Sequence, residues 1–351
     1  MDVNKAITFL ESSFLKDLLL DENVTDISFN GLDIYYVHND YGRKKSEIVL
    51  DKTSAKDFVR QIANLSEKQF SFQSPRLSVS FGRYRINALH QSVCRKNNEE
   101  SVSFDIRIAS SSLKFGKDGS LDEELKELLS TIVCSNASIV IGGITGSGKT
   151  ELQKYLLSIM PTNTRVIVID NILELDQFVP SQDLDLNIWQ ADEKREQVSI
   201  QNLVISALRS NPDWLIVAEA RGKEMLDVLN SSLTGHPIIT TIHAFDINSM
   251  PHRMVRLVMM NEQKMNFDDV YDDISYHMRF YIYLKRKYRT DGVVQRYISS
   301  IAYLNGRRME KIYGSDGVNK KYELLSEEAI KSLDLSNVSN QFKATFIGGN
   351  K

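Results

Sequence analysis

The sequence predicts an α/β fold in two parts, a smaller mixed α/β domain followed by a larger one built on a mostly parallel, helix-covered sheet. Three observations carry that expectation. Residues 143–150, Gly-Ile-Thr-Gly-Ser-Gly-Lys-Thr, fill the phosphate-loop pattern G-x-x-x-x-G-K-[ST]. Beyond them, strand-like apolar runs alternate with helix-like ones, the rhythm of a parallel sheet with covering helices. Between the halves runs a polar, serine-rich stretch, Ala109 to Leu121, that also contains Gly116 and Gly119. The expected division is therefore a first domain over 1–108, a linker over 109–121 and a second domain over 122–351.

The elements follow in order. Phe14 to Leu20 reads as a helix ended by Asp21-Glu22-Asn23, and Val24 to Phe29 alternates as a strand does. Asn30-Gly31 signals a turn, and Ile34 to Val37 returns as the partner strand. Thr53 to Leu65 has helical spacing with Phe58, Ile62 and Leu65 on one face; Leu77 to Leu89 and Ser101 to Ile108 look like further strands. In the second half, a helix through Leu129 leads to the apolar run Ser138 to Ile141, and the loop opens a helix from Glu151. Strands are then expected at Arg165 to Asp170, Trp214 to Ala218 and Ile238 to Ile242, with helices at Ser199 to Arg209 and Gly222 to Leu233.

Composition bounds the function. With 351 residues, 42% hydrophobic and 25% charged, the chain resembles ordinary globular proteins able to bury a core. A formal net charge of -3 and the lack of a basic stripe argue against direct nucleic-acid binding. Two cysteines, Cys94 and Cys134, suit a reducing compartment. No apolar stretch approaches the roughly 18 residues of a membrane span, and Met-Asp-Val-Asn-Lys has no export-signal pattern. The expected location is the cytoplasm, with any membrane contact made through a partner.

The glycine loop carries the chemistry. Glycines let the backbone curl so that successive N–H groups point at phosphate oxygens. Gly143, Thr145, Gly146, Ser147 and Gly148 form this cradle, Lys149 reaches the outer phosphates, and Thr150 supplies a hydroxyl to Mg²⁺. The strand before and the helix after put the anion on the positive end of that helix. No N-K-x-D guanine-reading motif occurs, so ATP with Mg²⁺ is the expected ligand; no L-S-G-G-Q transporter signature occurs either.

Functional residues of such sheets gather at the carboxyl ends of strands, which picks out Asp170, Glu219 and His243. Glu219 either holds the metal's water shell and orients the attacking water, or caps the helix expected from Gly222. Asp170 and Glu174 either bind or polarise metal-bound water, or form a solvated turn. Thr150, Asp170 and Glu219 are thus the metal candidates. His243 either senses the outer phosphate or is a structural hydrogen-bonder, and His236 lacks the companions of a zinc site. Positive charge on a transferring phosphoryl group is worth about 10³ to 10⁵ in rate. Arg85, Arg107 and Arg221 are candidates to supply it, a surface charge being the alternative for each. The basic run Lys285 to Arg289, followed by Asp291-Gly292, reads as a solvated hairpin.

Taken together, these residues resemble the hexameric secretion ATPases of type II and type IV secretion, pilus assembly and conjugation, closest to the compact type IV secretion and pilus-assembly branch. Asp170 to Leu175 is similar to the family's aspartate box. Leu208 to Asp213 with Ile216 to Gly222 matches its A-L-R-x-x-P-D…G-E-x-R segment, and Thr234-Gly235-His236 with Thr240 to Ala244 its histidine box. Val24 to Gly31, Arg85 to Ala88 and Ser103 to Arg107 resemble strands of its N-terminal module, and Ile274 to Tyr303 its late strand pair. The resemblance covers roughly nine-tenths of the chain and leaves the last 40 or so residues unassigned.

The resemblance implies a RecA-like P-loop ATPase domain after the N-terminal one, a homo-hexameric ring, and arginines of the first domain closing over the phosphates. It also implies inner-membrane secretion or pilus platform proteins as partners, and a site of action peripheral to the cytoplasmic membrane. Asn171 stands where the family carries aspartate, Asp170 where glutamate is common and Ala218 where glycine is usual, leaving open which carboxylate is the general base. A slow nucleotide-gated assembly switch and a RecA-type nucleic-acid motor are the alternatives.

Overall fold

The computed structural model describes residues 2–116, 121–193, 195–261, 265–290 and 293–348. Residues 117–120 of the expected linker, and Asp291-Gly292, therefore lie outside the described residues. The chain divides into two compact units, Met1–Ser111 with Tyr288–Val294, and Ser112–Lys287 with Gln295–Lys351.

In the first unit, α1 (Val3–Glu11), α2 (Lys16–Leu20) and α3 (Lys52–Leu65) accompany an antiparallel sheet. Its strands are β1 (Val24–Phe29), β2 (Asp33–His38), β3 (Gly42–Val49), β4 (Arg76–Phe81), β5 (Tyr84–Leu89) and β8 (Ser103–Ile108), in the order β3-β2-β1-β8-β5-β4. A two-residue pair, β6 (Arg95–Lys96) and β7 (Glu99–Glu100), stands apart from it. Strand period two explains the core: Leu77, Val79 and Phe81 of β4 and Phe104, Ile106 and Ile108 of β8 are buried, while their neighbours are not. Ala6 and Leu10 of α1 and Phe58 and Ile62 of α3 join the same cluster. Asp51 starts α3 by accepting from the N–H groups of Thr53 and Ser54, an N-cap that satisfies two orphan donors. Phe14 and Leu15, expected in the helix, lie in the turn before α2 instead.

The second unit carries a nine-stranded sheet of order β11-β10-β12-β13-β9-β14-β15-β16-β17. Its strands are β9 (Ile139–Gly143), β10 (Arg165–Asp170), β11 (Asp185–Gln190), β12 (Trp214–Val217), β13 (Ile238–Ile242), β14 (Phe280–Tyr288), β15 (Val294–Asn305), β16 (Arg308–Ser315) and β17 (Lys320–Tyr322). From β11 to β14 the pairing is parallel, whereas β15, β16 and β17 pair antiparallel. Helices α4 (Glu123–Cys134) and α5 (Lys149–Ser158) cover one face. The other face carries α6 (Ile200–Leu208), α7 (Met225–Leu233), α8 (Ser249–Val258) and α9 (Phe267–His277). Coverage on both faces is why β10 reads Val-Ile-Val-Ile and why those four residues are wholly buried.

Two expected boundaries shift. Ile274, expected to begin the late strand pair, lies in α9, where Val270, Tyr271 and Ile274 are buried at helical spacing; the pair starts at Phe280. Helix α7 starts at Met225 and not Gly222, because Glu224 accepts from the N–H groups of Arg221 and Gly222 at 2.6 and 2.9 Å.

The C-terminal end packs on α4. Here α10 (Glu327–Lys331) and α11 (Asn340–Phe342) are followed by a π-helical turn, Lys343–Ile347. Phe342 and Phe346 are fully buried with ring centroids 4.8 Å apart. Glu127 of α4 accepts from the Ser339 N–H and hydroxyl, and Asp122, the N-cap of α4, accepts from Lys320 and Tyr322. Among the described residues, no helix is long and apolar enough to cross a membrane.

Candidate functional site

Strand β9 lies between β13 and β14 and delivers the chain to the glycine loop at the carboxyl edge of the sheet. Gly143 admits no side chain: a methyl there would overlap the Ser147 hydroxyl and come within 2.8 Å of the Leu284 carbonyl. Gly148, the residue before α5, has φ +97°, a left-handed value that L side chains resist. Helix α5 begins at Lys149, so its first N–H groups have no carbonyl of their own helix to bond. Lys149 Nζ turns onto the loop, donating to Gly143 O at 3.0 Å and Ile144 O at 3.3 Å. Ser147 is wholly buried and its Oγ has no protein partner. An unsatisfied buried hydroxyl costs about 1–3 kcal/mol, and a phosphate oxygen or its water would relieve that cost. The cradle, the orphaned hydroxyl and the helix start together fit a polyphosphate.

The acidic box is a folded turn. Asp170 ends β10 nearly buried; its Oδ1 accepts from the Ile172 N–H and its Oδ2 from the Glu174 N–H, both at 2.9 Å. Leu173 between them has φ +55°, a conformation costing a non-glycine residue about 1–2 kcal/mol. The turn presents Glu174, whose Oε2 accepts from Thr150 Oγ1 at 2.8 Å. Of the three metal candidates, Thr150 is thus joined to Glu174, while Asp170 holds the turn that aims it. A hydroxyl and a carboxylate side by side at a loop of this kind suit a hard cation such as Mg²⁺, bound through oxygen and retained water.

Glu219 and His243 stand just past the adjoining strands β12 and β13. The strand ends are laced together: Ala218 N donates to Ile169 O, Ala220 N donates to Thr241 O, and Ala218 O accepts from Thr241 Oγ1 and Gln153 Nε2. Gln153, buried on α5, thereby ties the loop's helix to the base of the acidic cluster. Glu219 Oε2 accepts from Arg221 Nη2 at 2.6 Å, and Glu219 Oε1 lies 2.9 Å from His243 Nε2. Its alternative role as helix cap is not met: α7 begins at Met225, and Glu224, at the cap position, makes no side-chain capping bond. Burial pushes the Glu219 carboxyl upward, but the Arg221 hydrogen bond and charge, with His243 and Lys149, outweigh it and hold the group below its usual value. The carboxylate is therefore ionised at neutral pH. For His243 burial is the largest influence and lowers its pKa; Lys149 and Arg221 lower it further, against Glu219, which raises it.

His243 is accordingly a neutral ring at pH 7. Because its folded value lies below the ordinary 6.5, the unfolded chain takes up the proton first. Stability contributed by this ring is thus complete above pH 6.5 and is lost as the pH falls below it. His243→Gln should flatten that acid-side loss, read as a smaller change in urea midpoint between roughly pH 7.5 and pH 5.5. An unaltered pH dependence would show that His243 titrates without perturbation.

Arg85 and Arg107 belong to the first unit and face each other across β5 and β8. Like charges directly opposite repel; Arg107 Nε donates to Asp26 Oδ1 at 3.1 Å, and Asp26 is its register partner on β1. The second unit brings together the loop, Thr150, Glu174, Glu219, Arg221 and His243. His236, at the other end of β13, pairs with Thr234.

A family model described as type II/IV secretion system protein matches residues 73–275. The chain belongs to that family. It is 25% identical over 334 residues to an uncharacterized protein of Bacillus anthracis, covering 90% of this chain and 74% of that one. To the type IV secretion system protein VirB11 of Brucella suis it is 35% identical over 130 residues, 36% of either chain. The fold is shared with the Legionella pneumophila ATPase DotB, with TM-score 0.61 and 20% identity over 87% of this chain and 82% of that one.

In this type II/IV secretion family member, two further side chains reach the glycine loop that sequence reasoning missed. Arg296 of β15 donates from Nε to Gly146 O at 3.0 Å. Arg286 of β14, expected to be a solvated hairpin charge, brings Nη1 to 2.8 Å from where a side chain on Gly146 would begin. Glu224 was also missed; it precedes α7 and holds the Arg221 and Gly222 N–H groups.

Proposed function

We propose that this protein is a Mg²⁺-dependent ATPase that assembles as a ring and converts nucleotide hydrolysis into domain closure, driving secretion, conjugative transfer or pilus assembly. Membership of the type II/IV secretion family supports the class. The observation that carries the chemistry is the meeting, at one sheet edge, of an anion-shaped glycine loop with Thr150–Glu174 and with the Glu219–His243 pair. Bound Mg²⁺ would neutralise charge between the outer phosphates. Lys149 would leave its loop carbonyls for the phosphate chain, Thr150 and Glu174 would hold the metal side, and Glu219 would orient the attacking water. Arg221 restrains Glu219 in the resting state, and Arg85 with Arg107 are the first unit's candidates for charge on the phosphates. The ring, the platform partners and a place beside the cytoplasmic membrane belong to the same proposal.

A nucleotide-gated assembly switch is the second reading, favoured by the Arg221 hold on Glu219 and by exposed Asn171 in place of a second acid. Two measurements on the purified full chain test the first. Phosphate release should depend on Mg²⁺ and be abolished by chelation, and with a non-hydrolysable ATP analogue the protein should sediment well above its 40.1 kDa monomer mass. A strictly monomeric profile at micromolar concentration would count against the ring, and negligible phosphate release with intact nucleotide binding would favour the switch.

A further inference from the structure

We propose that Arg296, seconded by Arg286, is a positioning residue for nucleotide binding, fastening the crest of the glycine loop from its outer side; this rests on the ATP reading above. The loop can be anion-shaped only if its N–H groups turn inward, which turns carbonyls outward. Each outward carbonyl takes a donor from the protein or from water, and only a protein donor fixes its direction. Gly143 O and Ile144 O take theirs from Lys149, the residue expected to move to the phosphates; Ile144 O also accepts from the Ser147 N–H. Gly146 O instead takes its donor from Arg296, a residue of a distant strand that keeps this bond when Lys149 departs.

The attachment is extended. The aliphatic stem of Arg296 runs beside Gly148, its Cδ 3.6 Å from where a side chain there would begin. The Arg286 guanidinium lies against Gly146, whose φ is +74°. Two neighbouring strands of the sheet therefore lean on residues 146–148, the stretch whose left-handed glycines give the loop its curl. A guanidinium is well matched to this position, because it stays charged at every working pH and its planar fork fixes direction as an ammonium does not. Two added positive charges also raise the potential of the cradle toward a polyphosphate.

The test uses the full chain, fluorescent ADP and ATP analogues, steady-state kinetics and nucleotide-free melting of Arg296→Met, Arg296→Lys and wild type. Arg296→Met should weaken both nucleotides about tenfold, the worth of one charge-assisted hydrogen bond, with KM rising more than kcat falls. The nucleotide-free melting temperature should move by less than about 2 °C. Arg296→Lys should recover part of the affinity, and Arg286→Met should shift it in the same direction by less. Affinities unchanged in Arg296→Met overturn the inference. So does a loss accompanied by a much lower melting temperature, which would make Arg296 a prop of the fold. If wild type itself binds neither analogue, the ATP reading fails, an outcome the wild-type titration separates from the first two.

Discussion

Lys149→Ala should abolish ATP hydrolysis, with turnover falling by at least about 10³, while the fold survives. The lysine is the residue of the loop that carries a full positive charge on a flexible stem, and nothing else on the loop can replace it at the outer phosphates. Its resting bonds are part-buried to Gly143 O and exposed to Ile144 O, so losing them costs about 1 kcal/mol each. Circular dichroism melting should therefore show a midpoint lowered only modestly beside the lost activity. Turnover equal to wild type would remove the loop from the mechanism. A collapsed melting curve would instead reveal that the ammonium holds the loop itself together, and Thr150→Ala would then have to carry the functional test.

The second large effect is expected at Glu219→Gln. The exchange keeps the shape and removes the charge that Arg221 and His243 face. Loss of a positioned base or water-orienting carboxylate costs about 10² to 10⁴ in rate, and kcat should fall in that range. Nucleotide affinity should hold or improve, because a negative charge beside a triphosphate has gone. The same change takes away the one influence that raises the His243 pKa, so the ring should titrate still lower, which a histidine NMR titration would read directly. A kcat within about threefold of an active wild type would shift the role of base to Glu174. Equal and negligible rates in both proteins would support the nucleotide-gated switch.

The parallel half of the large sheet was legible because burial on both faces leaves little freedom of composition. Strands β10, β12 and β13 are short and almost entirely buried, each with an apolar run, and the carboxyl-end rule then pointed to Asp170, Glu219 and His243. Strands with one buried face were legible by alternation, whereas two border strands without a regular buried face were not. The edge strand β3, Gly-Arg-Lys-Lys-Ser-Glu-Ile-Val, is mostly exposed, and β11 at the border of the other sheet is only partly buried, so neither shows an apolar run. Helix α8 was hidden by Pro251, which looks like a breaker but sits in the first turn, where its missing N–H is not needed. The site divides the same way. Residues adjacent to a motif were readable; the inner arrangement of the acidic turn was not, since Asp170 spends both oxygens on the backbone only because Leu173 turns left-handed. Arg286 and Arg296 were invisible for another reason. Their meeting with Gly146 depends on which strand lies beside β9, a fact of long-range topology that no local spacing encodes.

The outermost strands have a consequence for how copies can join. At the far border of the nine-stranded sheet, β17 is three residues long and begins with two exposed lysines; β3 in the first unit bears Arg43, Lys44 and Lys45 along an exposed run. Such borders repel a foreign strand and give it almost nothing to zip onto. In the proposed ring, neighbours that met at either of these two borders would adhere through side chains, with the main-chain ladders there kept inside one molecule. Joints of that kind would tilt or slide without any backbone pairing having to break and re-form.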